Sequence, residues 1–191
     1  MTPGDHWCAP STTTDEAVLQ RVRAPVLDIG CGPGRHVIAL AQRGAVVMGV
    51  DVTPTAVAWA RRRGAAVLER SVFDRVPGHG RWRTALLLDG NVGIGGDPIE
   101  LLRRVAVLLA PDGRAIVELT TLSAGPGPAA GRTAARLELA GVAGPWFPWT
   151  SVGIDELVDA ADAAGLVVIE RWEHGDRDFV ELARSVALAG R

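Results

Sequence analysis

Short apolar runs alternate along this chain with stretches in which apolar positions recur every three or four residues. Ala24-Pro25-Val26-Leu27-Asp28-Ile29-Gly30 is a short apolar run ending in glycine, which predicts a buried strand. Before it, Thr14 to Arg23 reads as a short helix, with Asp15 and Glu16 in its first turn and Val18, Leu19 and Val22 at helical spacing. After it, Arg35 to Arg43 turns Val37, Ile38, Leu40 and Ala41 inward and stops at Gly44. The pattern then repeats. Ala45 to Val50 is a strand ending at Asp51, and Thr53-Pro54 starts a helix that runs to Arg63 and stops at Gly64. Ala65 to Glu69 is a third strand and Ser71 to Arg81 a loop. Thr84 to Leu88 is a fourth strand, ending at Asp89-Gly90-Asn91. Pro98 to Leu109 is a helix capped by Asp97. Pro111-Asp112-Gly113 is a turn, and Arg114 to Leu119 a fifth strand.

Strand and helix alternating over short links predict an α/β fold with a mostly parallel sheet, doubly wound and covered on both faces. The alternation breaks after Thr120. Ser123 to Gly131 is rich in Gly, Pro and Ala and reads as a mobile loop, and Thr133 to Leu139 as a short helix. Ile154 to Ala164 is helical. Leu166 to Trp172 and Asp178 to Ala183 are strands joined by a turn at His174-Gly175-Asp176, too short a link for anything but an antiparallel pair. That hairpin completes a seven-stranded sheet.

Composition narrows the chemistry. All 20 basic residues are Arg, and Tyr is absent, so Schiff-base chemistry, a P-loop lysine and a tyrosine acid are excluded. The net charge of -2 argues against a nucleic-acid partner, which needs a basic face. Cys8 and Cys31 make neither a disulfide framework nor a zinc set. No acidic cluster marks a metal site, and no apolar run reaches membrane-spanning length. A cytoplasmic protein of one domain over residues 1–191, with a tail at 1–13 and an insertion at 121–152, is the expectation; its oligomeric state is left open.

Asp28-Ile29-Gly30-Cys31-Gly32-Pro33-Gly34 joins a buried strand to a helix. Such glycines permit a tight turn and close approach of a ligand to the main chain. A dinucleotide loop requires a third glycine where this chain has Arg35; Gly34 comes one position early. Asp28 stands where a cationic amine is held, and Asp51 where a carboxylate accepts two ribose hydroxyls. The ligand reads as a nucleoside bearing an amino-acid part.

Val26-Leu27-Asp28-Ile29-Gly30-Cys31-Gly32-Pro33-Gly34 resembles the first motif of class I S-adenosylmethionine-dependent methyltransferases, and Gly49-Val50-Asp51-Val52-Thr53-Pro54 is similar to the second. Ser71-Val72-Phe73-Asp74 resembles the third, departing from it at Ser71. Leu88-Asp89-Gly90-Asn91 corresponds to the fourth, and Leu109 to Arg114 to the turn before the fifth strand. The resemblance spans roughly residues 14 to 184. It implies a Rossmann-like fold, S-adenosylmethionine as cofactor and methyl transfer to an acceptor. It implies that Gly30, Gly32 and Gly34, with Cys31 between them, line the methionine part, and that Asp28 sits near its amino group. Asp51 would take the ribose, Val52 the adenine face, and Val72, Phe73 and Asp74 the adenine edge. Asp89, Gly90 and Asn91 would face the sulfonium and the acceptor.

Bland roles compete with several of these. Asp28, Asp51 and Asp74 are also ordinary cap or turn residues. Cys31 is either an activated thiol at a helix start or a small residue in a tight loop. His36 either touches substrate or packs, and the turn residue His174 reads as solvated. Trp146, Phe147 and Trp149 either plug the core or wall a substrate pocket. Asp89, His36 and Glu118 are the candidate bases, and none is singled out as catalytic. The fourth strand carries no Asn-Pro-Pro-aromatic run and no Pro-Cys nucleophile follows, so the expected acceptor is a small molecule rather than a nucleobase. The insertion is the expected substrate cover, so deleting Ser123 to Gly131 should harm turnover more than cofactor binding. A non-catalytic cofactor-binding protein and a nicotinamide-dependent oxidoreductase are the alternatives.

Overall fold

The structure, a computed structural model, describes residues 11–119, 132–139 and 141–185. Cys8 and the segment Ser123 to Gly131 lie outside them. A seven-stranded sheet runs in the order β10-β11-β5-β4-β1-β2-β3. Its strands are β1 (Val26–Ile29), β2 (Val47–Asp51), β3 (Val67–Glu69), β4 (Trp82–Leu87), β5 (Leu109–Glu118), β10 (Leu166–His174) and β11 (Arg177–Arg184). The first five are mutually parallel, and β11 runs antiparallel to both β5 and β10. This is the doubly wound, Rossmann-like sheet with an antiparallel C-terminal hairpin that the apolar runs predict.

Helices α2 (Arg35–Gln42), α3 (Pro54–Arg62), α4 (Pro98–Leu108) and α5 (Ile154–Ala163) fall close to their predicted spans. The first helix, α1 (Thr13–Leu19), is shorter than the predicted Thr14 to Arg23. Its start is a capping box: Thr12 accepts from the Asp15 N–H, and the Asp15 carboxylate accepts from the Thr12 N–H. The Pro111-Asp112-Gly113 turn is absorbed into β5, where the pairing with β4 shifts register between Trp82 and Thr84.

Residues 133 to 139 are not helical. Arg132–Ala135 (β6) pairs antiparallel with Phe147–Thr150 (β9), and Glu138–Leu139 (β7) pairs with Val142–Ala143 (β8). The alanines favour helix, but such propensity is a weak determinant, and cross-strand pairing with the aromatic β9 overrides it.

Alternation along the strands sorts the core into two faces. Leu27 and Ile29 of β1 pack with α4, α5, Ala85 and Val117. Val26 faces the other way, with Val18, Leu19, Leu40, Leu86, Ile116 and Phe179. By the same two-residue period, Asp28, Glu118 and Arg177 belong to this second face. They sit at its end, beneath α1.

Candidate active site

The first parallel strands all end on one side, and the cleft opens there. Gly30 follows β1 with φ +71°. A Cβ there would come within 2.7 Å of both Asn91 Nδ2 and Ile94 Cδ1. Side chains are excluded twice, by backbone conformation and by space. Gly34, φ +81°, caps α2, and a Cβ on it would meet Ala60 and Ala65 at 3.0 and 3.1 Å. Gly34 is therefore a helix-packing glycine and does not line the cleft, whereas Gly30, Cys31 and Gly32 do.

Asp51 ties this loop to the end of β2. Its Oδ2 accepts from the Gly32 N–H at 2.9 Å and its Oδ1 from the Thr53 N–H at 2.7 Å. Burial pushes its carboxyl above the usual carboxylate range. Each oxygen has a further lone pair for a ligand hydroxyl. Asn91, at the turn after β4, donates from Nδ2 to the carbonyls of Ile29 and Gly30 at 2.8 and 3.0 Å. This is a structural role that sequence reading missed.

The cleft has a volume of about 600 Å³. Of the residues expected there, Val52, Val72, Phe73, Asp89 and Asn91 line it with the glycine loop and Asp51. Asp28, Asp74 and Gly90 do not. Asp74 borders a separate surface hollow with His79 and Arg104, and Asp28 is buried behind His36. Phe147, Pro148 and Trp149 wall the cleft, joined by Ala135, Arg136 and Leu137. Phe147 and Trp149 meet edge to face at 6.0 Å. Two of the three clustered aromatics therefore belong to the wall. Trp146 is 64% exposed, with the Arg136 guanidinium 4.8 Å over its ring. The wall is seated by an Ile94–Trp149 bridge and by the Gly95 N–H, which donates to the Pro148 carbonyl at 3.0 Å.

Behind the cleft lies an ion-pair network that sequence reasoning did not assemble. Arg177 donates from Nε and Nη2 to the two oxygens of Glu118, at 2.7 and 2.6 Å, and from Nη1 to Asp15 at 2.7 Å. Glu118 also accepts from the Asp89 N–H at 2.7 Å. Arg35 Nη2 reaches both Asp89 oxygens, at 2.7 and 2.9 Å. Asp15, fully buried, is held well below the usual carboxylate range by His36, the Thr12 N–H, Arg177 and Arg35, despite the opposing cost of burial. The one available signal was the two-residue period, which puts Asp28, Glu118 and Arg177 on one face.

His36 stands between two carboxylates, Asp15 at 3.3 Å from Nε2 and Asp28 at 3.8 Å from Nδ1. Burial lowers its pKa, but the two carboxylates outweigh that and raise it to about 9. Arg35 Nε, 2.9 Å from the same Nε2, opposes the rise; two flanking anions prevail over one cation. The Cys31 thiol is pushed up by burial, then by Asp28 and Asp51, so it is a small packing residue and not an activated nucleophile. Among the described residues no group of His, Cys, Asp and Glu is arranged to hold a metal ion, and no helix is long and apolar enough to cross a membrane.

Residues 26–113 match the family described as "Methyltransferase domain". The fold is similar to that of a SAM-dependent methyltransferase from Bacteroides fragilis in complex with S-adenosyl-L-homocysteine. The TM-score is 0.78 at 20% identity, over 96% of this chain and 82% of the other. The CcbJ methyltransferase of Streptomyces caelestis gives 0.72 at 20% identity, over 94% and 92%. A sugar N-methyltransferase from Streptoalloteichus gives 0.66 at 18%, over 90% and 86%. No curated protein sequence matches the chain. The sheet order and the cleft at its strand ends define the class I methyltransferase fold. Residues 26–113 thus match a methyltransferase domain, and the chain shares its fold with enzymes that use S-adenosylmethionine.

The cleft suits that cofactor. Gly30 and Gly32 leave main chain bare toward it, Asp51 offers carboxylate lone pairs, and Val52, Val72 and Phe73 provide an apolar slot.

Proposed function

We propose that the protein transfers a methyl group from S-adenosylmethionine to a small-molecule acceptor. One observation carries the reading. Asp51, locked to the glycine loop, and Asp89, locked by Arg35 and Glu118, border one cleft that is closed over by an aromatic wall. In this reading Gly30, Cys31 and Gly32 border the methionine part through their backbone. Asp51 accepts the ribose hydroxyls, and Val52, Val72 and Phe73 hold the adenine. Gly34 and Asp28 act at one remove, by seating α2 and by facing His36. The stretch from Ala135 to Trp149, within the insertion at 121–152 of a single domain, covers the acceptor.

The cofactor supplies a methyl already activated on a sulfonium sulfur, which an acceptor atom displaces in line. The chain's part is to align the acceptor and exclude water, and a wall of Phe147, Pro148 and Trp149 does the second. The near-neutral charge and the sugar acceptor named for the Streptoalloteichus enzyme support a small acceptor.

Calorimetry tests the reading. S-adenosylhomocysteine should bind at micromolar strength and NAD should not. Turnover should then appear as S-adenosylhomocysteine release with small amines or alcohols. Saturable NAD binding without S-adenosylhomocysteine binding would overturn it.

A further inference from the structure

The network behind the cleft does not balance its charge. Four carboxylates (Asp15, Asp28, Asp89 and Glu118) face two guanidiniums (Arg35 and Arg177) and one imidazole (His36). Even with His36 charged, one negative charge is left over. An uncompensated charge in a buried setting is costly unless a partner arrives. The carboxylates also differ in access. The side chains of Asp15, Asp28 and Glu118 are 0%, 1% and 9% exposed, while that of Asp89 is 30% exposed and lines the cleft. The unpartnered oxygen of the network is Oδ2 of buried Asp28, whereas Asp89 is the network's carboxylate that a molecule in the cleft can touch.

Asp89 is also held in place. Among the described residues it is the non-glycine residue at positive φ, +56°, a conformation that L side chains rarely adopt. Glu118 fixes its N–H, and one Arg35 nitrogen bridges both its oxygens. The outer lone pairs of the carboxylate stay free for a donor from the cleft. Phe147 and Trp149 wall the same cleft, and the face of an aromatic ring attracts a cation as well as an apolar body.

Resting on the methyl-transfer reading above, we propose that the acceptor is an amine that Asp89 recognises in its cationic form; the nitrogen gives a proton to solvent by way of Asp89, and its freed lone pair then forms the N–C bond as the methyl carbon's bond to sulfur breaks. Carboxylate and aromatic wall together recognise an ammonium on an apolar body. An anionic acceptor would meet the surplus negative charge. Of the rival cations of the cleft, Arg70 donates to the Arg75 carbonyl and Arg136 stands over the exposed Trp146.

The test uses the full chain saturated with S-adenosylhomocysteine, so that no sulfonium fills the cationic role. Three probes of one shape are titrated by calorimetry: 2-naphthylmethylamine, 2-naphthylmethanol and 2-naphthoate. The amine should bind about tenfold more tightly than the alcohol, and the naphthoate most weakly. Asp89→Asn should bring the amine down to the alcohol's level. Equal or weaker binding of the amine, no binding of it, or a preference for the naphthoate overturns the proposal. So does a folded Asp89→Asn variant that keeps the preference. Should that variant not fold, the three probes on the unaltered protein decide alone. Failure of S-adenosylhomocysteine to bind overturns the methyl-transfer reading itself, and is seen before any probe is added.

Discussion

The two ends of the cleft are built by different means. The glycine-loop end comes from short contiguous segments: Gly30 to Gly32 after β1, Asp51 to Thr53 after β2, and Val72 and Phe73 after β3. Its internal ties are mostly backbone N–H groups donating to one carboxylate. The other end is gathered from residues far apart in sequence. Arg35 reaches Asp89 across 54 positions, Arg177 reaches Glu118 across 59, and Arg177 reaches Asp15 across 162. Its ties are charged side chains, and of its members Arg35 and His36 alone are neighbours in sequence. A local turn can be written in seven letters, whereas an ion-pair network exists only once the sheet has brought its strands side by side.

The contrast can be broken from the loop end first. Asp51→Ala removes two N–H acceptors and the ribose partner together, so S-adenosylhomocysteine affinity in calorimetry should fall by about a hundredfold or more. Affinity within threefold of the unaltered protein would show the loop to be independent of Asp51. Gly30→Ala forces a Cβ into Asn91 and Ile94 at a positive φ, and should lower stability by about 2 kcal/mol in urea denaturation. A midpoint unchanged by it would mean that the turn relaxes freely.

At the network end, Arg177→Met takes the guanidinium from Glu118 and leaves Asp15 with Arg35, at 3.6 Å, and His36. It should cost about 3 kcal/mol, the scale for removing one partner of a buried pair, while Arg177→Lys recovers part of the loss. His36 sharpens the same end through pH. Its folded pKa, about 9, exceeds its ordinary value of 6.5. Its contribution is therefore complete below pH 6.5 and is lost as pH rises through 9. Urea midpoints should fall across that window, and His36→Gln should flatten the fall. The smallest effect belongs to the wall. Trp149→Ala should weaken 2-naphthylmethylamine binding by about tenfold and S-adenosylhomocysteine binding by less.

These differences explain what could be read ahead of the structure. The parallel strands and their helices were legible because each apolar run and each Gly or Pro stop is a local signal. Asp51 and Gly30 were legible for the same reason. Asp74 was misplaced, because third-motif position alone does not say which way a turn residue points. Thr133 to Leu139 was misread because alanines speak for helix until β9 lies alongside. Asn91 had no visible structural purpose because its two acceptors, Ile29 and Gly30, are brought to it only by the pairing of β1 with β4. Asp15 looked like a first-turn helix acid; that it is buried follows from α1 lying over a sheet face whose polar members come from three strands.

Gly93 sits where the wall meets the loop after β4, and a Cβ there would lie 1.9 Å from the Thr150 carbonyl oxygen. The joint works as a keyhole. The returning strand β9 passes over bare backbone at this position, beside the Ile94–Trp149 bridge and the Gly95–Pro148 hydrogen bond. The wall's position over the cleft therefore hangs on the absence of one side chain, so even a single methyl at residue 93 would push β9 outward.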